Sequence, residues 1–211
     1  MNLYAHQQKI LDLNPSKFLI ASGTGTGKTI TALALAKKNN TEVLIVCPKQ
    51  VRRKWHIAMV DMGVEGRVIG RDQFRLKAKT LPRYDAVIWD ECHVGIGNMQ
   101  SQMHKSLAWY IKEYNIEYIW LLSGTPYSST PMNIYSLGKI LGHKWNYIEF
   151  RERFFKTRYI GNRMIWEPRN DVKEEIAALI RKMGDTTRLE DCFDVPDQVV
   201  EVEYFSQTKE Q

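Results

Sequence analysis

A chain of 211 residues can bury one full-sized core but is short for two average domains, and 44% hydrophobic with 26% charged residues suits a folded globular protein, not a disordered one. The net charge of +6 admits an anionic partner such as nucleic acid without requiring one. No apolar run approaches the roughly 20 residues needed to span a bilayer and no leader pattern opens the chain, so an intracellular, membrane-free setting is expected, with the three scattered cysteines Cys47, Cys92 and Cys192 reduced and structural.

In chain order, FLIA (18–21) is the first strand expected. It runs into SGTGTGKT (22–29) and then TITALALAKK (29–38), a good helix. VLIVC (43–47), RVI (67–69), AVIWD (86–90) and YIWLLS (118–123) are further short apolar runs, and SQMHKSLAWYIKEY (101–114) is a helix between the last two. Nearly continuous hydrophobicity suits strands buried on both faces, so the alternation implies an α/β fold with a mostly parallel sheet and helices on both faces. From 142 to 170 the texture changes: Trp145, Tyr147, Phe150, Phe154, Phe155, Tyr159 and Trp166 are interleaved with seven basic residues against three acids. That stretch reads either as a nucleic-acid-binding surface or as a small helical satellite core with arginines on its wet face. DVKEEIAALIRKM (171–183) is an amphipathic helix with Val172, Ile176, Leu179, Ile180 and Met183 on one face, and QVVEVEYF (198–205) is a last strand candidate.

The glycine-rich stretch could be a plain turn. Between a strand and a helix, however, Gly25 and Gly27 let backbone N–H groups of Thr24, Gly25, Thr26 and Gly27 converge on phosphate oxygens, helped by the positive helix terminus. Lys28 would then reach the outer phosphates and the Thr29 hydroxyl would take a Mg²⁺ position. Ser22 stands where the common pattern has its first glycine. AVIWDECH ends an apolar strand in adjacent carboxylates, which should emerge at the carboxyl edge of the sheet, where ligands bind in open α/β folds. There Asp90 can hold Mg²⁺ and Glu91 can polarise the attacking water, unless both are solvated acids at an ordinary strand exit.

The order SGTGTGKT, LIVCP, DECH, LSGTP (122–126) resembles the first RecA-like lobe of superfamily-2 DExH helicases and translocases. LYAHQ (3–7), GNMQS (97–101) and LSGTPYSSTPMNIYSLGKIL are most similar to the SWI/SNF-type branch. The resemblance implies ATP and Mg²⁺ as cofactors, adenine recognition by Gln7, nucleic-acid contacts at Pro48, Lys49 and Gln50, and coupling of nucleotide state to those contacts through Ser123, Gly124 and Thr125. It departs at Gly97, where a lysine is usual, and at Cys92, where alanine is. Residues 1–190 are expected to form the ATP-binding lobe and 191–211 the start of a connection to a second RecA-like lobe, in cis or in trans. Without that lobe's arginines, worth roughly 10³ to 10⁵ in turnover, hydrolysis should be weak. The implied partner is DNA, double-stranded by the SWI/SNF-like texture, and a compact motor of this kind suits a cytoplasmic or nucleoid-associated setting in a phage or bacterium. Two other classes remain open: a nucleic-acid-binding or regulatory module with a non-hydrolysing ATP site, and a nucleotidase or kinase, which fits LSGTP badly.

Overall fold

The computed structural model describes residues 3–127 and 130–188. Six parallel strands form one sheet: β1 (Lys17–Ile20), β2 (Val43–Cys47), β3 (Gly66–Gly70), β4 (Ala86–Asp90), β5 (Tyr118–Leu122) and a short β8 (Gly184–Asp185), in the order β3-β2-β4-β5-β1-β8. All five expected strands are present, within a residue or two of their expected ends. The strand candidate 198–205 and the whole stretch 191–211 lie outside the described residues.

Side chains alternate along each strand and divide the interior into two cores. Leu44, Val46, Val87, Trp89, Ile119 and Leu121 face one side, under α4 (Arg71–Lys77), α5 (Gln102–Glu113), α6 (Pro131–Ile140) and α8 (Lys173–Met183). Val43, Ile45, Ile88, Trp120 and Leu122 face the other, under α1 (Ala5–Leu13), α2 (Lys28–Lys38) and α3 (Arg52–Asp61). Burial on both faces is why the strands are nearly continuous apolar runs. The expected helices appear as α2, α5 and α8. Ser101 caps α5 by accepting from His104 N, and Thr130 caps α6 ahead of Pro131, which suits a first helical position because its missing N–H would be unbonded there anyway. Among the described residues no helix is long and apolar enough to cross a membrane.

Only part of the basic aromatic segment is helical. α7 (Tyr147–Phe154) is followed by an antiparallel hairpin, β6 (Phe155–Ile160) and β7 (Arg163–Pro168), which shares no strand with the main sheet. β6 alternates Lys, Arg and aromatic residues that a helical reading also accommodates, so periodicity alone did not separate the two. Phe150, Phe154 and Phe155 are buried in the α4–α8 core itself, and Trp145 packs so closely on α6 that a Cβ on Gly138 would stand 2.3 Å from its ring. Of the basic residues, Arg153 pairs with Glu175, Arg158 with Glu167 and Arg169 with Asp171, while Arg151 lies 4.3 Å over the Trp166 ring. Packing therefore accounts for Trp145, Phe150, Phe154 and Phe155, while Tyr147 and Tyr159 are exposed.

Candidate functional site

Register across the sheet decides which loops meet. Ile20 of β1 is level with Leu122 of β5, and Leu122 is level with Asp90 of β4. Ser22, Ser123 and Glu91 therefore leave from one edge of three adjacent strands, with β5 in the middle and β1 roughly 10 Å from β4. The glycine-rich loop, the LSGTP stretch and the paired acids share that edge.

In the loop, Gly25 and Gly27 have φ of 84° and 80°, the left-handed region that glycine enters without steric cost. Gly27 is the N-cap of α2, so the helix begins at Lys28. The Lys28 ammonium donates to the carbonyls of Ser22 (2.9 Å) and Gly23 (2.8 Å), spanning the loop. Burial pulls its pKa below the ordinary lysine range, and the charges of Glu91 and Asp90 oppose that shift, which puts both acids within electrostatic reach of the loop. Thr26 is buried and donates to Gly23 O (2.8 Å), Thr29 is half-buried, and Thr24 and Gly25 are exposed. Gly124 adjoins the same loop: a Cβ there would lie 3.6 Å from Thr24 Oγ1 and 3.7 Å from Lys28 Nζ.

Gln7 lies beneath the loop, 2% exposed, donating to Gly27 O (3.2 Å) and accepting from Tyr4 N (3.0 Å). Both ends of its amide are thus used within the chain. Ser22 uses its hydroxyl to donate to Asp185 Oδ2 (2.9 Å) in β8, while Gly23 N donates to Thr187 O (2.9 Å). The serine in place of glycine thereby ties the loop to the last strand.

The acids are held from several sides. Asp90 Oδ2 accepts from Trp55 Nε1 (2.8 Å) of α3, and Asp90 Oδ1 accepts from Glu91 N (3.0 Å). Glu91 has φ of 49°, uncommon for a residue with a Cβ. Arg71 Nη2 donates to the carbonyls of Asp90 (3.1 Å) and Glu91 (3.2 Å). His93 Nδ1 lies 2.8 Å from Ser123 Oγ and 3.4 Å from Glu91 Oε2, and Ser123 Oγ also accepts from Thr125 N (3.0 Å). The acid pair is thus linked to Ser123 and Thr125 through one imidazole. Gly97 has a packing reason to be glycine: a Cβ would stand 2.6 Å from His93 O, and its carbonyl accepts from Asn133 of α6 (2.9 Å). Cys92 is fully buried, and burial pushes its thiol well above the ordinary range.

Pro48, Lys49 and Gln50 follow β2 and line a cleft of about 560 Å³ with Arg52, Arg71 and Gln73. That cleft lies beside the acids, since Arg71 belongs to both. Trp55, Arg71, Asp185 and Thr187 were not legible as site residues, because each reaches the site by a long-range contact with no sequence pattern of its own.

The loop fits a nucleotide phosphate: a lysine ammonium held by loop carbonyls can turn to an anion, and both left-handed positions are glycines. Among the described residues no three His, Cys, Asp or Glu side chains could form a metal cage. Thr29 and Asp90 are the side chains that could hold a Mg²⁺ ion beside a bound nucleotide, since that ion is commonly bound through one or two protein oxygens.

No family model and no curated protein sequence matches this chain. Among solved structures it is similar to the UvsW helicase from bacteriophage T4, with a TM-score of 0.52 and 15% identity over 65% of this chain and 58% of that one. It is also similar to the Pyrococcus furiosus Hef helicase domain, with a TM-score of 0.53 and 17% identity over 74% of this chain and 41% of that one. The chain spans less than two thirds of either structure. The likeness is one of fold: this is an α/β RecA-like domain whose structural neighbours are helicase domains.

Proposed function

We propose that this RecA-like domain is the ATP-binding first lobe of a DNA-dependent ATPase, a helicase or double-stranded DNA translocase that needs a second RecA-like lobe for efficient hydrolysis. The observation that carries the reading is the register of β1, β5 and β4, which brings the Lys28 loop and the Asp90–Glu91 pair out at one shared edge. Backbone N–H groups of residues 24–27, Lys28 and the α2 terminus hold the triphosphate. Thr29 and Asp90 would hold Mg²⁺, which would supply charge neutralisation at the phosphates. Glu91 orients and polarises the attacking water. Ser123, Gly124 and Thr125 transmit nucleotide state, and the His93 bridge from Glu91 to Ser123 supports that role. Gln7 reads the adenine edge only by exchanging one of its present partners for the base. Pro48, Lys49 and Gln50 contact the DNA backbone, and the lining of their cleft by Lys49, Arg52 and Arg71 against the one acid Asp72 supports this.

The test uses the chain with its second lobe present. Lys28→Ala should weaken binding of a fluorescent ATP analogue by about tenfold or more, the scale of a lost charge-assisted contact. Glu91→Gln should bind the analogue as the parent does and lose turnover. Hydrolysis by E91Q at the parental rate contradicts the water-activating role. A parent that binds duplex DNA in a salt-dependent way yet never hydrolyses ATP is instead a binding module.

A further inference from the structure

We infer that Arg71 is a positioning residue for Glu91, holding the backbone of the acid pair in the geometry that aims the Glu91 carboxylate. This rests on the reading of Glu91 as the group that polarises water. Arg71 is the first residue of α4 and follows β3, which is separated from β4 by β2. From there one guanidinium nitrogen spans two consecutive peptide carbonyls, those of Asp90 and Glu91.

Those carbonyls flank the residue that most needs holding. Glu91 occupies the left-handed region at φ 49°, which a side chain with a Cβ adopts only against a steric cost. Its own loop supplies two restraints, Val94 N donating to Glu91 O (3.0 Å) and Glu91 N donating to Asp90 Oδ1. Arg71 adds a restraint from a distant part of the chain. A rotation of the Glu91 peptide toward the ordinary helical region would break the Arg71 bond and swing the carboxylate away from the edge it shares with Lys28.

The surroundings show that Arg71 is held there at a cost. Its charge is desolvated, and the attraction of Asp90 and Glu91 opposes that penalty. Its Nε is buried with no hydrogen-bond partner among the described residues. An apolar side chain at this position would avoid that desolvation but would leave the Asp90 and Glu91 carbonyls without the guanidinium donor. The same side chain forms part of the wall of the cleft lined by Lys49, Gln50 and Arg52. A polyanion seated in that cleft would act on the guanidinium that bonds the Glu91 backbone, which makes Arg71 a direct physical link between the proposed DNA contact and the proposed water activator.

The experiment compares the two-lobed parent with Arg71→Gln and Arg71→Lys, each checked for a cooperative thermal transition. ATP turnover is measured with and without duplex DNA, and the affinity for a fluorescent ATP analogue is measured separately. Misplacing a catalytic group by an ångström costs about 10²-fold. R71Q should therefore lose between about tenfold and a hundredfold in kcat and most of its DNA stimulation, with analogue affinity within twofold of the parent. R71K carries the test if R71Q does not fold: an ammonium is a poor replacement for a planar fork at a bridging site, and a loss of at least about threefold in kcat at unchanged analogue affinity is expected. A role confined to supporting the fold would lower affinity and turnover together. Parental kcat in the folded variants, or equal losses of affinity and kcat, overturns the assignment to Arg71 alone. A parent with no turnover overturns the ATPase reading beneath it.

Discussion

Gly27→Ala separates the need for left-handed backbone in the phosphate loop from the need for space around it. Gly27 has φ of 80°, and an added Cβ would lie 2.4 Å from Gln7 Nε2. The left-handed conformation costs a residue with a Cβ about 1–2 kcal/mol. Gln7 is buried with its amide on the Gly27 carbonyl and Tyr4 N, so moving it aside forfeits hydrogen bonding worth about 1 kcal/mol. The sum is about 2–3 kcal/mol, a fall in Tm of about 4–12 °C for a chain of this size. Calorimetry or urea titration measures it. Gly124→Ala is the internal control. Its Cβ would make ordinary contacts at 3.6 Å and beyond, and its stability should stay within about 0.5 kcal/mol of the parent. The Gln7→Ala/Gly27→Ala double variant removes the obstruction, and its cost should fall about 1 kcal/mol short of the sum of the single variants. Full additivity, or equal effects of G27A and G124A, would refute the reasoning.

Two further outcomes are expected. Trp55→Phe removes the 2.8 Å donor to Asp90 Oδ2, a bond to a charged group worth roughly 1.5–3 kcal/mol, and should lower stability by that order while altering the Mg²⁺ dependence of nucleotide binding; an unchanged Mg²⁺ titration would separate Trp55 from the metal-holding role proposed for Asp90. His104 is buried, with Nδ1 2.9 Å from Ile96 O, and burial lowers its pKa in the fold. The unfolded chain therefore binds the proton first as pH falls, so the His104 contribution is whole above the unfolded value near 6.5 and is lost as pH drops from there toward the lowered folded value. Urea midpoints from pH 7.5 to 5.5 should fall less steeply in His104→Gln; an identical slope contradicts the burial argument.

The strands, the phosphate loop and the acid pair were legible because each rests on local pattern. VLIVC and AVIWD are buried on both faces and so carry no alternation, and Gly25 and Gly27 are needed wherever the backbone turns left-handed in front of α2. The hairpin at 155–168 is not legible in the sequence, where the basic aromatic stretch admits a helical satellite core because interleaved basic and aromatic residues fit either period when one face is exposed. Several aromatic residues that suggested a surface for nucleic acid are instead core: Trp145 fills the space that Gly138 leaves on α6 and stacks on the buried Phe150.

What the amino-acid order determined by itself was the set of strands and the chemistry at their ends: glycines and lysine at one exit, two carboxylates at another, small polar residues at a third. Tertiary structure decided that β5 lies between β1 and β4, so that Ser123 faces both sites, and that Trp55, Arg71 and Asp185 reach in from 35, 19 and 163 residues away. Hydrophobic periodicity is a property of neighbouring residues and survives in the sequence. Strand order and single long-range hydrogen bonds depend on how the whole sheet packs, and no local pattern records them.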